Sequence, residues 1–200
     1  FHHCLGVREI RHFDVDPDAT RKFEHIMAGH PVKLVACADV DSACEGADII
    51  STVTADKANR TVVRRKHLRP GVHFNGVGGD CPGKTELAPD MLPDLKIAVE
   101  YEPQSRIEGE IQALDADVPV TELWQVLNGD VELRSSDDDM TLFDSVGFAL
   151  EDYSVLRCVY KKCRDLNIGR ESDIIFTPDD PKDLFGVLGS ATGASTRRIA

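Results

Sequence analysis

One stretch of the sequence combines a carboxylate, an ammonium and several glycines at a spacing that suits chemistry. Asp80 follows a short apolar run, and Lys84 comes four residues later, after the rigid Pro82. An acid beside a cation can exchange protons with a ligand and hold an opposite charge. The glycines leave space where a flat ring or a backbone could approach closely, and they are Gly76, Gly78, Gly79 and Gly83. A glycine-rich turn with a solvated ion pair fits the same residues, and spacing alone leaves both interpretations open.

Other polar side chains end further predicted strands. Thr52 and Thr54 close a β-branched run and lie two residues apart, so they share one strand face. Their hydroxyls could meet a cofactor or could only satisfy nearby backbone. Asp14 ends an earlier strand, where an acid accepts hydrogen bonds from an adenosine ribose and repels a 2′-phosphate, which favours NAD over NADP. Asp16, in the same turn, is a good cap for the helix that follows.

A third candidate region joins a strand to a helix. Residues 140–148 read as a strand turning into a helix, with Asp144 or Ser145 as the cap. A helix N-terminus at the ligand end of a sheet offers unpaired N–H groups to a cofactor. A plain capped helix with no ligand explains the same residues.

Composition narrows the class of protein. The net charge of −12 argues against nucleic acid and anionic membrane as partners, because both require a cationic face. The six cysteines show neither a Cys-x-x-Cys pair nor zinc spacing, which predicts reduced thiols in a cytoplasmic protein and no metal site. Cys81 is a weak candidate nucleophile, since the adjacent Asp80 opposes thiolate formation. No apolar run reaches the roughly 20 residues of a membrane span.

The order of elements predicts a parallel α/β sheet. Strands are expected over 9–15, 32–38, 47–54, 72–77 and 95–99, with helices over 19–27 and 41–46 between them. The chain starts at Phe1 without a Met, as the last turn of a helix that Gly6 would cap. No Gly-x-Gly-x-x-Gly loop occurs, and it should precede that helix. We therefore expect a Rossmann-like fold whose first strand and glycine-rich loop are missing.

The second half of the chain is predicted to pack toward a further domain. A helix is expected over 105–114, Trp124 is expected in the core, and residues 135–139 form an acidic turn. A long helix should run to about residue 166, followed by a docked return segment over 173–188. The resulting division is 1–140 for the NAD-binding domain, 141–188 for the helix and return segment, and 189–200 for a disordered tail.

At this point several motifs resemble the ornithine cyclodeaminase family. The clearest is Gly-Gly-Asp-Cys-Pro-Gly-Lys-Thr-Glu-Leu, residues 78–87, and the other motifs are residues 52–57, 108–111 and 142–152. The resemblance extends from about residue 5 to about residue 188. The wider superfamily also holds mu-crystallin-like ketimine reductases and amino-acid dehydrogenases, which generally lack the first motif.

The resemblance implies an NAD-dependent conversion of L-ornithine to L-proline and ammonia without net redox change. Hydride leaves the alpha carbon for NAD to give an imine, the distal amine attacks that carbon, ammonia departs, and the hydride returns. The distal amine must first lose a proton, since a lysine-like ammonium has a pKa near 10.4. Closure of the ring is intramolecular, so holding the two ends together is a large part of the catalysis.

The same resemblance implies roles for individual residues. Asp80 would be the catalytic acid/base and would also bind the substrate ammonium, and Val146 would border the ornithine. The cofactor contacts would be Asp14, Thr52, Thr54, Val77, Gly78, Gly79, Asp80, Lys84 and Ser145.

The family's amino-terminal part, which carries the phosphate loop, the basic grip on the substrate carboxylate and most of a homodimer interface, has no counterpart here. We therefore expect the 200 residues alone to be inactive. A ketimine reductase, an amino-acid dehydrogenase, a lysine cyclodeaminase and an inactive fragment remain the alternatives.

Overall fold

The computed structural model describes residues 1–55, 60–170 and Lys182. The chain forms two compact units, Phe1–Gly147 and Phe148–Ala200. The boundary lies after Gly147 and not after residue 140 as expected, because the intervening residues supply a central strand to the sheet of the first unit. The return segment and tail expected at 173–188 and 189–200 fall outside the described residues, apart from Lys182.

The first unit contains seven short strands, all in parallel pairs, in the part of the chain that the structure describes. They are β1 (Glu9–His12), β2 (Lys33–Ala36), β3 (Ile49–Thr52), β4 (His73–Gly76), β5 (Lys96–Val99), β6 (Thr121–Glu122) and β7 (Thr141–Asp144). A two-stranded sheet joins β1 to β2, and a five-stranded sheet has the order β3-β4-β7-β5-β6. The predicted parallel α/β architecture is confirmed.

The sheet is divided, where one continuous sheet was expected. β1 pairs with β2 from Glu9↔Lys33 to His12↔Ala36, and β3 pairs with β4 from Ile49↔His73 to Thr52↔Gly76. No strand among the described residues pairs with both β1 and β3, so the two sheets share no ladder. Each of these two strands therefore presents an unpaired edge within the described structure.

The core lies against one face of the five-stranded sheet. Alternate residues of the strands point to this face, and Phe74, Val99 and Leu142 are at most 1% exposed. Residues from the connections pack against them, including Leu87 and Ile111. Burial of this apolar surface fixes the connections against the strands and so sets the position of the loops at the carboxyl ends.

Six α-helices lie in the described residues, and two of them have ends that local sequence signals explain. They are α1 (His2–Leu5), α2 (Pro17–Met27), α3 (Val40–Cys44), α4 (Glu102–Glu108), α5 (Leu123–Leu127) and α6 (Ala149–Asp165), the last in the second unit. Gly6 ends α1 in the left-handed conformation with φ 71°, as predicted. Asp16 caps α2 by accepting from the N–H of Asp18, also as predicted. No helix within the described part of the chain is long and apolar enough to cross a bilayer.

The helix predicted over 105–114 is interrupted. α4 stops at Glu108, Gly109 takes an extended conformation, and a 3₁₀ turn follows over Glu110–Ala113. A Cβ on Gly109 would lie 2.5 Å from Asp144 Oδ2 and 2.8 Å from Oδ1. The helix is therefore interrupted at a glycine, where the Asp144 carboxylate approaches the backbone too closely for a side chain. Helical periodicity alone could not reveal this tertiary contact.

Two further expectations are wrong. Trp124 is 51% exposed and is not a core residue; its indole N–H donates to Glu122 Oε2 at 2.6 Å. Neither Asp144 nor Ser145 caps the long helix, whose N-cap is Phe148 without a side-chain hydrogen bond. Both of these side chains are used inside the first unit, as described below.

The contact between Gly109 and Asp144 predicts a large cost for a single methyl group. G109A should destabilise the protein by about 1–3 kcal/mol, because the added carbon overlaps a buried carboxylate that cannot move freely. I107A in the same helix is the matched control, since Ile107 is 60% exposed and should cost less than about 0.5 kcal/mol. Urea unfolding of both variants measures the difference, and equal midpoints would contradict the packing described.

Candidate functional site

Asp80 and Lys84 meet at the carboxyl end of β4. The Lys84 side chain is 4% exposed, and its ammonium donates to Asp80 Oδ1 at 3.1 Å and to the carbonyl oxygen of Thr54 at 3.1 Å. The Asp80 side chain remains 60% exposed. The ion pair expected from the sequence therefore exists, and it is anchored to the interior on the lysine side only. The buried cation holds an accessible carboxylate and the loop after β3 in one place.

Glu86 holds the same threonine from the other side. It is 1% exposed, and its Oε1 accepts from the backbone N–H of Thr54 at 3.1 Å and from the Thr54 hydroxyl. Thr54 is an exposed residue, and its hydroxyl proton is directed to this buried carboxylate. Thr52 differs from Thr54, because it is 4% exposed and the structure does not bring it to the surface of the site.

The glycines of the motif clear space for the protein's own carboxylates. A Cβ on Gly78 would collide with the Glu86 carboxylate, and one on Gly79 would lie 2.8 Å from Glu110 Oε1. Gly83 instead has φ +80° and open space around its Cα, so it serves the turn. The sequence interpretation assigned this space to a ligand, whereas at Gly78 and Gly79 buried side chains occupy it.

A chain of buried carboxylates links the loops at the carboxyl ends of the strands. Glu110, fully buried, accepts from the N–H of Glu86 at 2.8 Å and from that of Leu87 at 2.9 Å. Asp144, also fully buried, accepts from the N–H of Glu110 at 2.9 Å and from that of Ile111 at 3.0 Å. Glu110 thus supplies acceptors for N–H groups of a loop, and Asp144 supplies them for the first N–H groups of the 3₁₀ turn, which have no partner within that turn. The sequence interpretation missed Glu86 and Glu110; their signal was that acidic residues stood inside apolar, glycine-containing runs.

Ser145 and Val146 are held in the same manner. The Ser145 hydroxyl donates to Glu100 Oε1, and the N–H of Val146 donates to Glu100 Oε2 at 3.0 Å. Glu100 directly follows β5 and is 8% exposed, while Ser145 directly follows β7 and is half-buried. Because β4 pairs with β7, Ser145 lies at the carboxyl edge beside the strand that leads to Asp80.

The remaining predicted residues lie at carboxyl ends as expected. Val77 follows β4 and is 43% exposed, while Gly78 and Gly79 are buried. Asp14 lies two residues beyond β1, is exposed, and accepts from the N–H of Asp16 through Oδ1 at 2.8 Å. Hydroxyls, backbone and Asp80 thus lie at the ends of β3, β4 and β7 in the five-stranded sheet, whereas Asp14 lies at the end of β1 in the two-stranded sheet. No cluster of possible metal ligands occurs among the described residues.

Burial raises the pKa values of two fully buried acids, Glu110 and Asp144. It raises the pKa of Glu110 to about 7, despite the backbone N–H groups that favour the charged form, and the neighbouring Asp144 raises it further. Burial likewise raises the pKa of Asp144 to about 6, with Glu100 adding to the effect. Both acids can therefore carry a proton near neutral pH, although their oxygens accept backbone hydrogen bonds.

These pKa values predict how stability changes with pH. The pKa of Glu110 in the folded protein lies above the ordinary value of 4.5, so folding binds a proton between those two pH values, and this contribution to stability is lost as pH rises through about 7. The effect reaches about 1.4 kcal/mol per pH unit for one proton. Against E110Q, which cannot titrate there, the wild-type free energy of unfolding should fall more steeply from pH 5 to pH 7.5 in urea titrations. Parallel profiles for the two proteins would contradict the raised pKa.

Comparison with known proteins identifies the family. The sequence profile described as "Ornithine cyclodeaminase/mu-crystallin family" matches residues 1–167. An ornithine cyclodeaminase of Brucella melitensis is 52% identical over 188 residues, which cover 94% of this chain and 52% of the relative. The chain thus spans about half the length of the curated relatives it matches.

Solved structures agree with the fold. An archaeal alanine dehydrogenase dimer with bound NAD superposes with a TM-score of 0.76 at 27% identity, covering 87% of this chain and 55% of the other. A lysine cyclodeaminase, from a study of its recognition of L-lysine, L-ornithine and L-2,4-diaminobutyric acid, gives a TM-score of 0.75 at 27% identity, with 88% and 52% covered. The expected Rossmann-like α/β fold is confirmed. The chain belongs to the ornithine cyclodeaminase/mu-crystallin family.

Proposed function

We propose that this chain is the part of an NAD-dependent ornithine cyclodeaminase that carries the catalytic acid/base and much of the cofactor site. The observation that carries the proposal is the exposed Asp80 carboxylate, held by the buried Lys84 ammonium at the carboxyl end of β4. The 52% identity to the Brucella ornithine cyclodeaminase supports the same reaction. The product would be L-proline, with release of ammonia.

Asp80 would act on the distal amine of L-ornithine. At neutral pH this amine is an ammonium with a pKa near 10.4, so the exposed carboxylate would attract it and then take its proton. The deprotonated amine could then close a five-membered ring within the same molecule, a step that benefits from fixed ends. Lys84 would hold the Asp80 carboxylate in place, and Val146 would border the substrate.

The residues along the carboxyl edge fit an NAD molecule. NAD would supply a hydride acceptor that later returns the hydride, so no other redox partner is required. Asp14 would hold the adenosine ribose, and its charge would disfavour a 2′-phosphate. Thr54, Ser145 and the backbone at residues 77–79 would contact the other end of the cofactor near Asp80. The ammonium of Lys84 already has two internal partners, so we assign it to positioning of the site more than to direct contact.

Assembly, location and substrate range complete the proposal. The archaeal relative is a dimer, and we propose that the whole protein is a homodimer. The free thiols fit a cytoplasmic enzyme.

A lysine cyclodeaminase activity is the second candidate, because the solved structure of that name was studied with both L-lysine and L-ornithine. The two differ in the length of diamine accepted, which product analysis resolves.

The proposed reaction can be tested in a fused protein. We propose that the part of the Brucella relative that this chain does not cover is its amino-terminal half, which is therefore joined before Phe1. With NAD, the fused protein should convert L-ornithine to L-proline and ammonia and should act less well on L-lysine, while the 200-residue chain alone should be inactive. Chromatography of the amino-acid products measures this. Reduction of cyclic imines without ornithine turnover would favour a ketimine reductase, and oxidation of an amino acid with net NADH formation would favour a dehydrogenase.

Replacement of the proposed acid/base gives a sharper test. D80N in the fused protein should lower kcat by about 10²–10⁴-fold, because the amide cannot accept the proton of the substrate ammonium. D117N is the matched control, since Asp117 is also an exposed acid and lies in another loop. Steady-state ornithine turnover compares them, and similar kcat values for the two variants would contradict the role of Asp80.

A further inference from the structure

The two hydroxyls proposed to face the cofactor share an unusual arrangement. Thr54 and Ser145 each direct a hydroxyl to the carboxylate of a nearly buried glutamate, Glu86 in one case and Glu100 in the other. In each case the same carboxylate also accepts a backbone N–H, that of Thr54 at 3.1 Å and that of Val146 at 3.0 Å. The arrangement occurs twice, after different strands and with residues far apart in sequence.

The direction of these hydrogen bonds follows from the chemistry of the groups. In both contacts the hydroxyl is the donor and the carboxylate oxygen is the acceptor. A hydroxyl has one proton, and the remaining lone pairs on its oxygen can only accept from a third group. Thr54 is exposed and Ser145 is half-buried, so a ligand in the space beyond the carboxyl ends of β3, β4 and β7, here called the crevice, could approach both side chains.

The glutamates themselves cannot reach a ligand. Glu86 is 1% exposed and Glu100 is 8% exposed. The hydroxyls, in contrast, lie just beyond Thr52 and Asp144, which flank Gly76 in one register row across β3, β4 and β7. Thr54 and Ser145 therefore stand on either side of the strand that ends toward Asp80, about two strand spacings, or roughly 10 Å, apart.

We infer that Glu86 and Glu100 are specificity-determining positioning residues, which fix Thr54 and Ser145 as hydrogen-bond acceptors so that the crevice selects ligand groups that donate. The inference rests on the proposed NAD function. It names the kind of ligand group that Thr54 and Ser145 would recognise. Near Asp80 the cofactor offers two kinds of donor, the N–H groups of the nicotinamide carboxamide and the hydroxyls of the adjoining ribose. Phosphate oxygens and carboxylates, which only accept, would find no partner in these two hydroxyls.

The two glutamates provide a matched pair of variants. Both contacts of Glu86 fall on Oε1, and its Oε2 has no hydrogen-bond partner in the described part of the chain, so the oxygen of glutamine in E86Q can keep both contacts. Glu100 divides its contacts between Oε1 and Oε2. In E100Q the oxygen must stay on the N–H of Val146, and the new NH₂ group donates to Ser145. The serine proton is thereby released toward the crevice, and the serine becomes a donor.

The test compares NAD with two analogues that each lack one donor. One is 3-acetylpyridine adenine dinucleotide, which has no carboxamide N–H, and the other is NAD without the 2′-hydroxyl on its nicotinamide ribose. Dissociation constants are measured by calorimetry on the fused protein described above, with the wild-type residues and as its E86Q and E100Q variants. The wild type should bind NAD about tenfold more tightly than at least one analogue. The donor that the more weakly bound analogue lacks is then the one that the hydroxyls accept from. E86Q should keep this ratio, while E100Q should bring it close to one.

Each outcome separates this inference from the proposed function. Equal ratios in the wild type and E100Q, or affinity for all three dinucleotides weakened by one common factor, would mean that Glu100 has only a structural role and would overturn the inference. A wild type that binds NAD but does not distinguish either analogue would also overturn it, leaving the proposed function standing. A folded fused protein with the wild-type residues that binds none of the three would overturn both.

Discussion

Acceptance of backbone N–H groups by buried carboxylates is the interaction on which the site depends. The segments that follow the strands include loops and the first residues of the 3₁₀ turn Glu110–Ala113, whose N–H groups lack the partners that regular structure supplies. Asp144 holds residues 110 and 111, Glu110 holds residues 86 and 87, and Glu86 holds Thr54. Side-chain carboxylates thus connect the loops that follow several strands, although the loops do not pair with one another as strands. Loss of one carboxylate would leave buried donors unsatisfied and would loosen loops distant in sequence.

This arrangement explains why the exposed groups are well placed. Asp80 is accessible, yet its partner Lys84 is buried and also bonded to Thr54, which Glu86 fixes in turn. An accessible acid alone would be screened by solvent and mobile, whereas an acid paired to a buried cation keeps its orientation. The buried Glu86 therefore helps to position Asp80 through Thr54 and Lys84, although it does not itself contact Asp80.

The sequence predicted the positions of the candidate site residues better than it predicted the buried groups that hold them. The spacing of Asp80 and Lys84, and the acid Asp14 beyond a strand, were local features, and the structure places them at carboxyl ends as expected. The reason for Gly78 was missed, because the space that it clears is filled by a side chain from a distant loop position. Trp124 was assigned to the core on its size alone, although short strands in this region leave half of it exposed. The interruption at Gly109 and the use of Asp144 away from the helix cap are tertiary contacts that periodicity cannot encode.

Amide hydrogen exchange would test the role of the buried carboxylates most directly. The N–H groups of residues 86, 87, 110 and 111 lie at the segments that the carboxylates hold. If Glu110 and Asp144 hold these segments in place, NMR should show the four amides exchanging nearly as slowly as those of the core strands, by opening close to global unfolding. Exchange as fast as in the exposed turn at residues 136–138 would contradict the account, because the loops would then move independently of the acids.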